Sequence, residues 1–236
     1  MKVCIIIPMY NEEAIALFSL ETILFYVERL SITTTLLVVN DGSKDRTEEI
    51  VKKFISKQNN KILELINQQN KGYGGALRTG IKFAIDNNFD YVLFMDSDLT
   101  NHPKYLKDFY KKIDEGFEYI KATRYSLGGG YENVPFKRRF IGKLGNLFGK
   151  LITGLPIYDL TNGFRAVNVN LFKKIDLSED HFAIIIEELM KITRITNKIT
   201  EIPVILTNRS GEARKTAFTY DARTFWRYFK YFFYSK

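Results

Sequence analysis

The apolar positions of this chain fall into short unbroken runs separated by stretches of helical period. Residues 3–7 (VCIII), 36–39 (LLVV) and 91–95 (YVLFM) are continuous apolar runs, long enough to cross a sheet and too short for helices. A further strand is expected near residues 62–67. Helix-period segments lie between them, one following PMYNEE to about residue 30, one over 46–58, and one following NKGYGGA to about residue 88. Asp45 and Glu48 stand as an Asp-x-x-Glu capping box for the second of these. Strands alternating with helices over short connections argue for a parallel, doubly wound α/β sheet. In such sheets ligands sit beyond the carboxyl ends of the strands. The polar clusters PMYNE, NDGS, KGYGG and DSD all fall at those ends, and their coincidence on one edge says more than any of them alone.

The second half is less regular. A strand over 119–124 precedes a glycine-rich loop, SLGGGYENVP, that reads as too flexible for a core, and then a basic helical segment, FKRRFIGKLGNLFGKLI. DLTNGFRAV reads as a turn into a short strand and residues 182–196 as a helix. Residues 199–206 read as a strand whose internal Pro203 marks an edge or a bulge. In the terminal stretch TFWRYFKYFFYSK, Phe225, Trp226, Phe229, Phe232 and Phe233 share one helical face, with Arg227, Lys230 and Tyr234 largely elsewhere. Such a helix suits a membrane interface. It equally suits packing on the protein's own core, or a segment that precedes spanning helices. There is no internal repeat and no clear linker; the expected division is a catalytic domain over 1–218 and an amphipathic aromatic and basic helix over 219–236.

Charge changes this picture more than composition does. Of the 236 residues, 45% are hydrophobic and 26% charged, ordinary for a globular protein. The net charge of +8 is unevenly spread: residues 1–100 carry −2 and residues 101–236 carry +10. The basic half should face something anionic: a nucleic acid, a membrane surface or a phosphorylated substrate. Zinc-finger spacing and RNP-like aromatic motifs are both missing, so no nucleic-acid partner is expected. No apolar run approaches the ~20 residues a spanning helix needs. The N-terminus enters a strand at once, so no cleaved signal peptide is expected and the chain reads as soluble or peripheral. A single cysteine, Cys4, excludes a disulfide framework and reads as a small buried side chain in a reducing compartment. His102 and His181 lack ligand spacing, so no zinc site is expected.

Candidate chemistry centres on residues 91–103, YVLFMDSDLTNHP. Asp96 and Asp98 are spaced i, i+2, which on an extended backbone puts both on one face with Ser97 pointing away. Pro103 suits the first turn of a following helix. Two acids at the end of a core strand demand a cation, and a hard divalent ion shared with phosphate oxygens supplies one; a solvated turn is the plainer reading. The first loop lacks G-x-G-x-x-G, so no dinucleotide cofactor is expected. In KGYGGALRTG the glycines permit close approach of backbone to a ligand, or a tight turn. Asp41 either accepts from a base N–H or caps the turn at Gly42-Ser43.

Taken together, IIIPMYNEE, VVNDGSKD, NKGYGGALRTGI, FMDSDLTNHP, ATRYSLGGG, DLTNGFRAV and EIPVILTNRSGEARK occur in the order and spacing of family 2 inverting glycosyltransferases. The chain most resembles the branch containing dolichyl-phosphate mannose synthases and polyprenyl-phosphate glucosyltransferases, over residues 3 to about 216. The resemblance implies an α/β fold of GT-A type, with a Rossmann-like, mostly parallel sheet flanked by helices. It also implies a nucleotide-sugar donor and Mg²⁺ or Mn²⁺. It puts Pro8, Tyr10 and Glu12 around the nucleoside, Asp41 on the base, and Asp96 and Asp98 on the metal and diphosphate. Arg124 and Arg138 match the acceptor-phosphate arginines, and Arg209 the diphosphate-binding arginine, assisted by Arg214 or Lys215. Three positions depart from the pattern: Thr100 replaces a glutamine that helps hold the metal, and Gly142 and Ala213 replace serines.

The reaction implied is inverting transfer of a hexose, from a donor of GDP-mannose or UDP-glucose type, to a polyprenyl phosphate at the cytoplasmic face of a membrane. A membrane-anchored partner subunit or a homo-oligomer would fit the same picture. A rival enzyme would transfer to a sugar hydroxyl, for which a carboxylate base is needed, and Glu187 or Glu188 in IIIEELM is the candidate. A different class altogether is a non-catalytic module binding nucleotide or anionic lipid through the basic surface.

Overall fold

The computed structural model describes residues 1–58, 62–209 and 222–233. Its core is a seven-stranded sheet in the order β3-β2-β1-β4-β7-β5-β8, with a two-stranded sheet, β6-β9, beside it. The first half alternates as its pattern predicts: β1 (Lys2–Met9), α1 (Ala16–Val27), β2 (Thr33–Asp41), α2 (Thr47–Lys57), β3 (Leu63–Gln68), α3 (Gly72–Asp86) and β4 (Tyr91–Phe94). These four strands are parallel, with Ile5 opposite both Leu36 and Leu93. The continuous apolar character of β1, β2 and β4 follows from burial on both faces, whereas β3, LELINQ at the sheet edge, mixes apolar and polar positions. Val3, Ile5 and Ile7 pack toward α1, whereas Cys4 and Ile6 pack toward α3. Gly80 of α3 lets that helix lie close on the sheet, since a Cβ there would stand 2.6 Å from the Ile6 side chain. Cys4 is fully buried, and burial pushes its thiol well above the usual range.

After α4 (Leu106–Asp114) come β5 (Tyr119–Thr123), β6 (Gly130–Tyr131), α5 (Phe136–Thr153), β7 (Arg165–Asn168), α6 (Val169–Phe172), α7 (Ile184–Ile192), β8 (Ile199–Pro203), β9 (Ile205–Leu206) and α8 (Ala222–Phe232). The sheet is therefore not wholly parallel: β7 inserts between β4 and β5 and runs antiparallel to both. The glycine-rich loop holds a short strand, because Gly130 and Tyr131 pair with Ile205 and Leu206. Pro203 ends the edge strand β8 where the chain leaves for the smaller sheet, as an in-strand proline suggests.

Two local expectations are corrected. The Asp45–Glu48 capping box does not form: α2 starts one residue later, Asp45 accepts from the Thr47 backbone N–H (3.0 Å), and Glu48 turns to Lys52 and Asn67. The strand expected over 91–95 ends at Phe94, so Asp98 lies in a turn and the i, i+2 pair does not continue an extended strand. Leu99, at φ 56, completes that turn. Among the described residues no helix is long and apolar enough to cross a membrane.

Candidate functional site

The carboxyl edge of the first four strands opens on one cleft of about 1190 Å³. Pro8, Tyr10 and Glu12 come to it from the end of β1, Asp41 from β2, and Asp96 and Asp98 from the segment after β4. Arg124 follows β5, Arg138 stands in the first turn of α5, and Arg209 follows β9; all three line the same cavity. Every predicted site residue among those described thus borders one space. Lys215, with Arg214 and Ala213, lies outside the described residues.

One end of the cleft is acidic. Asp41 does not cap the Gly42-Ser43 turn; Asn40 does, accepting from the Ser43 N–H and hydroxyl. Asp41 Oδ1 instead accepts from Gln68 Nε2 (2.6 Å) and the Lys71 N–H (2.8 Å), tying the ends of β2 and β3 together. Asp98 Oδ1 accepts from the Thr100 N–H (3.0 Å) and hydroxyl (2.9 Å). Its Oδ2 accepts from Arg209 Nε at 2.7 Å, and the same guanidinium reaches within 3.7 Å of Glu12 Oε1. Asp96 accepts from the Tyr73 hydroxyl at 3.1 Å. Burial, and then the charge of Asp98, push the Asp96 carboxyl up to about 6.

That pair fits a divalent cation. Two oxygen donors sit close enough for one to raise the other's proton affinity, and a guanidinium already answers the charge of Asp98. Among the described residues no set of three His, Cys, Asp or Glu side chains is arranged to hold a metal alone. Mg²⁺ and Mn²⁺, which keep waters and share phosphate oxygens with one or two carboxylates, need no such set. Thr100, at the position in question as a third ligand, spends its hydroxyl on Asp98.

The other end is built on buried ion pairs that the sequence reading did not single out. Arg124 Nε and Nη2 grip Asp159 bidentately (2.6 and 2.7 Å), and Nη2 also donates to the Thr161 hydroxyl (2.9 Å). Burial works to raise the Asp159 carboxyl, but the Arg124 guanidinium overrides it and holds the group below its usual range. Asn146 of α5 donates to the Gly142 carbonyl and Thr161 hydroxyl and accepts from the Leu160 N–H (2.7 Å), locking α5 to the 159–162 loop. Beneath them Arg165 forks onto Glu188, both fully buried. Lys121 donates to the Asn162 carbonyl; burial first, and Arg165 second, push its ammonium down to about 7. Asp159 lies within the run DLTNGFRAV, yet nothing in its spacing announces a partner 35 residues away.

Glu187 and Glu188 do not border the cleft. Glu188 is held by Arg165, and Glu187 accepts from the Ser178 and Glu179 N–H groups and from Lys191, so neither is poised as a base for a cleft-bound hydroxyl. In KGYGG, Gly72, at φ 78, borders the cleft, and the glycines also serve a contact within the chain. They form the first turn of α3, and a Cβ on Gly74 would collide with the Glu179 carbonyl of the 179–180 loop, which approaches closely enough for the Gly74 N–H to bond Asp180 O (2.8 Å).

The outer wall is aromatic. Phe148 of α5 stacks on Phe229 of α8 (6.2 Å), and both line the cleft with Phe225, Trp226 and Phe232. The expected common face of α8 divides. Phe232 is buried against the core, while Phe225, Trp226 (67% exposed) and Phe233 face outward. Along α5, Phe136, Phe140, Leu144, Leu147 and Leu151 are exposed as well, interspersed with Lys137, Arg139 and Lys143.

Comparison with known proteins gives a consistent result. The profile of glycosyl transferase family 2 matches residues 4–176. The chain is 26% identical over 211 residues to polyprenol monophosphomannose synthase of Mycolicibacterium smegmatis, covering 88% of this chain and 78% of that protein. It is 31% identical over 230 residues to dolichol-phosphate mannosyltransferase of Pyrococcus furiosus, covering 93% of this chain and 62% of the archaeal one. Among solved structures, glucosyl-3-phosphoglycerate synthase from Mycobacterium tuberculosis, in complex with Mn²⁺, UDP and phosphoglyceric acid, superposes with a TM-score of 0.65 at 21% identity, over 91% of this chain and 72% of that one. That likeness shows the fold, which is of the GT-A type expected.

Proposed function

Because the chain belongs to glycosyltransferase family 2, we propose that it transfers a hexose from a nucleotide diphosphate sugar to a polyprenyl phosphate, with inversion, at a membrane surface. The observation that carries this reading is one cleft with an acidic pair and an arginine at one end, half-buried arginines at the other, and an exposed aromatic and basic wall outside. Pro8, Tyr10, Glu12 and Asp41 form the wall for the nucleoside. Asp96 and Asp98 would hold a divalent cation, which would neutralise charge on the diphosphate as it leaves. Arg209, already on Asp98, is placed to turn its guanidinium to the same phosphates.

A phosphate monoester has its second pKa near ~6, so the acceptor is largely dianionic at neutral pH and needs no general base. Glu187 and Glu188, the candidate bases of the hydroxyl-transfer rival, do not border the cleft, which agrees with such an acceptor. One acceptor oxygen bonds the anomeric carbon as the bond from that carbon to the donor diphosphate breaks, and the nucleoside diphosphate departs with the electron pair. The chain's task is to hold two anions face to face and in line. Arg124, kept rigid by Asp159 and Thr161, and Arg138 supply positive charge at the acceptor end. The outward rings of α8 and the basic, apolar surface of α5 bring the cleft to the lipid headgroups. The test is a screen of GDP- and UDP-sugars, with Mn²⁺ or Mg²⁺, against a short polyprenyl phosphate and free sugars. Transfer to free sugars with none to the lipid phosphate overturns the reading, and binding without turnover favours a non-catalytic module.

A further inference from the structure

Beside Arg124 two phenols meet. The hydroxyls of Tyr125 and Tyr131 lie 2.6 Å apart, and their rings are edge to face with centroids at 6.0 Å. The Arg124 guanidinium lies over both rings (5.3 and 5.5 Å) and that of Arg139 over Tyr131 (5.7 Å). Gly142 of α5 makes room for the pair: a Cβ there would stand 3.0 Å from the Tyr125 hydroxyl and 3.5 Å from that of Tyr131.

Two hydroxyls joined by one hydrogen bond have two protons between them, so one is left for an outside acceptor. Asn146 Nδ2, which can only donate, already approaches the Tyr125 oxygen at 3.5 Å. Tyr131 is the member of the pair that borders the cleft, on the same wall as Arg124, Arg138 and Gly142. Arg124 spends Nε and Nη2 on Asp159 and Thr161, so an incoming phosphate, with its three acceptor oxygens, gains from a donor beyond the arginines. We infer that the Tyr131 hydroxyl, oriented by Tyr125 and made accessible by Gly142, donates a hydrogen bond to the phosphate of the acceptor. The inference rests on the acceptor reading given above and adds a binding residue to it.

Tyr131→Phe removes one oxygen and keeps the ring. A hydrogen bond to a charged group contributes enough that KM for a short prenyl phosphate should rise about tenfold or more, with KM for the donor sugar and the melting temperature unchanged. In the double variant Tyr131→Phe/Gly142→Ser a new hydroxyl stands beside the lost one, and part of the acceptor affinity should return. An unchanged acceptor KM in Tyr131→Phe, or an equal rise in donor KM, overturns the inference while lipid-phosphate transfer by the parent enzyme leaves the reaction standing. Calorimetric binding of farnesyl phosphate in the absence of donor separates the two further. If the parent enzyme transfers only to hydroxyls, yet Tyr131→Phe weakens farnesyl phosphate binding about tenfold, the reaction falls and the phosphate contact stands. Equal binding by parent and variant removes the contact as well.

Discussion

The two ends of the cleft are assembled by different means. The donor end is made of loops that leave adjacent parallel strands, so the sheet places Tyr10, Asp41 and Asp96 near one another with little help from side chains. The acceptor end comes from β5, α5 and the 159–162 loop, which backbone pairing alone does not bring together. Buried polar contacts do so instead: Arg124 with Asp159 and Thr161, Asn146 with Leu160 and Thr161, Arg165 with Glu188, and Lys121 with Asn162. One end therefore tolerates loss of a side chain structurally and fails chemically, whereas the other risks its architecture when a partner is removed.

The largest effect belongs to the donor end. Asp98→Ala should abolish transfer, with kcat lower by at least ~10⁴ at saturating donor, because the charge of two phosphate-bearing reactants is left uncompensated. Folding should survive, since what the substitution removes is a turn contact to Thr100 and the Arg209 ion pair, and it also relieves Asp96 of a neighbouring negative charge. A soluble, normally melting protein that still transfers at a tenth of the parent rate would sink the assignment.

At the acceptor end the corresponding loss is of stability. Glu188→Ala strands the fully buried Arg165 and should cost about 3–5 kcal/mol in denaturant unfolding. Replacing both partners, Arg165→Met with Glu188→Leu, should recover most of it, because two well-packed apolar side chains need no compensation. If the single and double variants are equally unstable, the pair is not what holds β7 to α7.

Nearer the substrate the same logic separates fold from binding. Arg124→Lys keeps a cation on Asp159 but loses the planar fork. Acceptor KM should rise about tenfold to a hundredfold, the range for a hydrogen bond to a charged group, with donor KM unchanged. Equal loss of both would contradict a role confined to the acceptor.

This division also explains what was legible in the sequence. Continuous runs such as VCIII, LLVV and YVLFM report burial on two faces, a local property, so β1, β2 and β4 could be read directly. The polar clusters that follow them inherit their positions from the strands. The antiparallel insertion of β7 could not be read, because RAV fits either direction and only its neighbours decide. Nor could Asp159, whose role depends on an arginine 35 positions away. The Asp45–Glu48 box failed for a local reason: Asp45 lies two residues before Thr47 and captures its N–H and hydroxyl, leaving Arg46 as the N-cap.

A smaller effect concerns pH. Lys121, fully buried, has its ammonium pushed down to about 7, whereas a lysine in the unfolded chain titrates near ~10.4. Between these values the unfolded state binds more protons, so stability rises with pH across that window and is lost as pH falls toward 7. The slope from this group is at most about 1.4 kcal/mol per pH unit. Lys121→Met should flatten it, and parallel stability profiles for parent and variant between pH 7 and 9 would show that Lys121 stays charged in the fold.

The smallest expected effect tests the outside of the acceptor end. Phe18 of α1 and Trp226 of α8 are comparably exposed aromatic residues on helices packed against opposite faces of the sheet. If exposure alone drew the protein to lipid, Phe18→Ser and Trp226→Ser would weaken vesicle binding alike. The acceptor reading predicts otherwise, because Trp226 borders the cleft beside Arg223 and Arg227 and near the exposed, lysine-flanked row of α5. Partial burial of one indole among headgroups contributes on the order of 1 kcal/mol, so Trp226→Ser should lower affinity for vesicles containing anionic lipid about fivefold. Phe18→Ser should leave it unchanged. Salt should weaken binding of the parent and both variants, since the basic residues of α5 and α8 remain. Equal losses from the two helices would mean that the aromatic wall is no more a membrane surface than any other exposed ring, and the lipid acceptor would have to reach the cleft by another face.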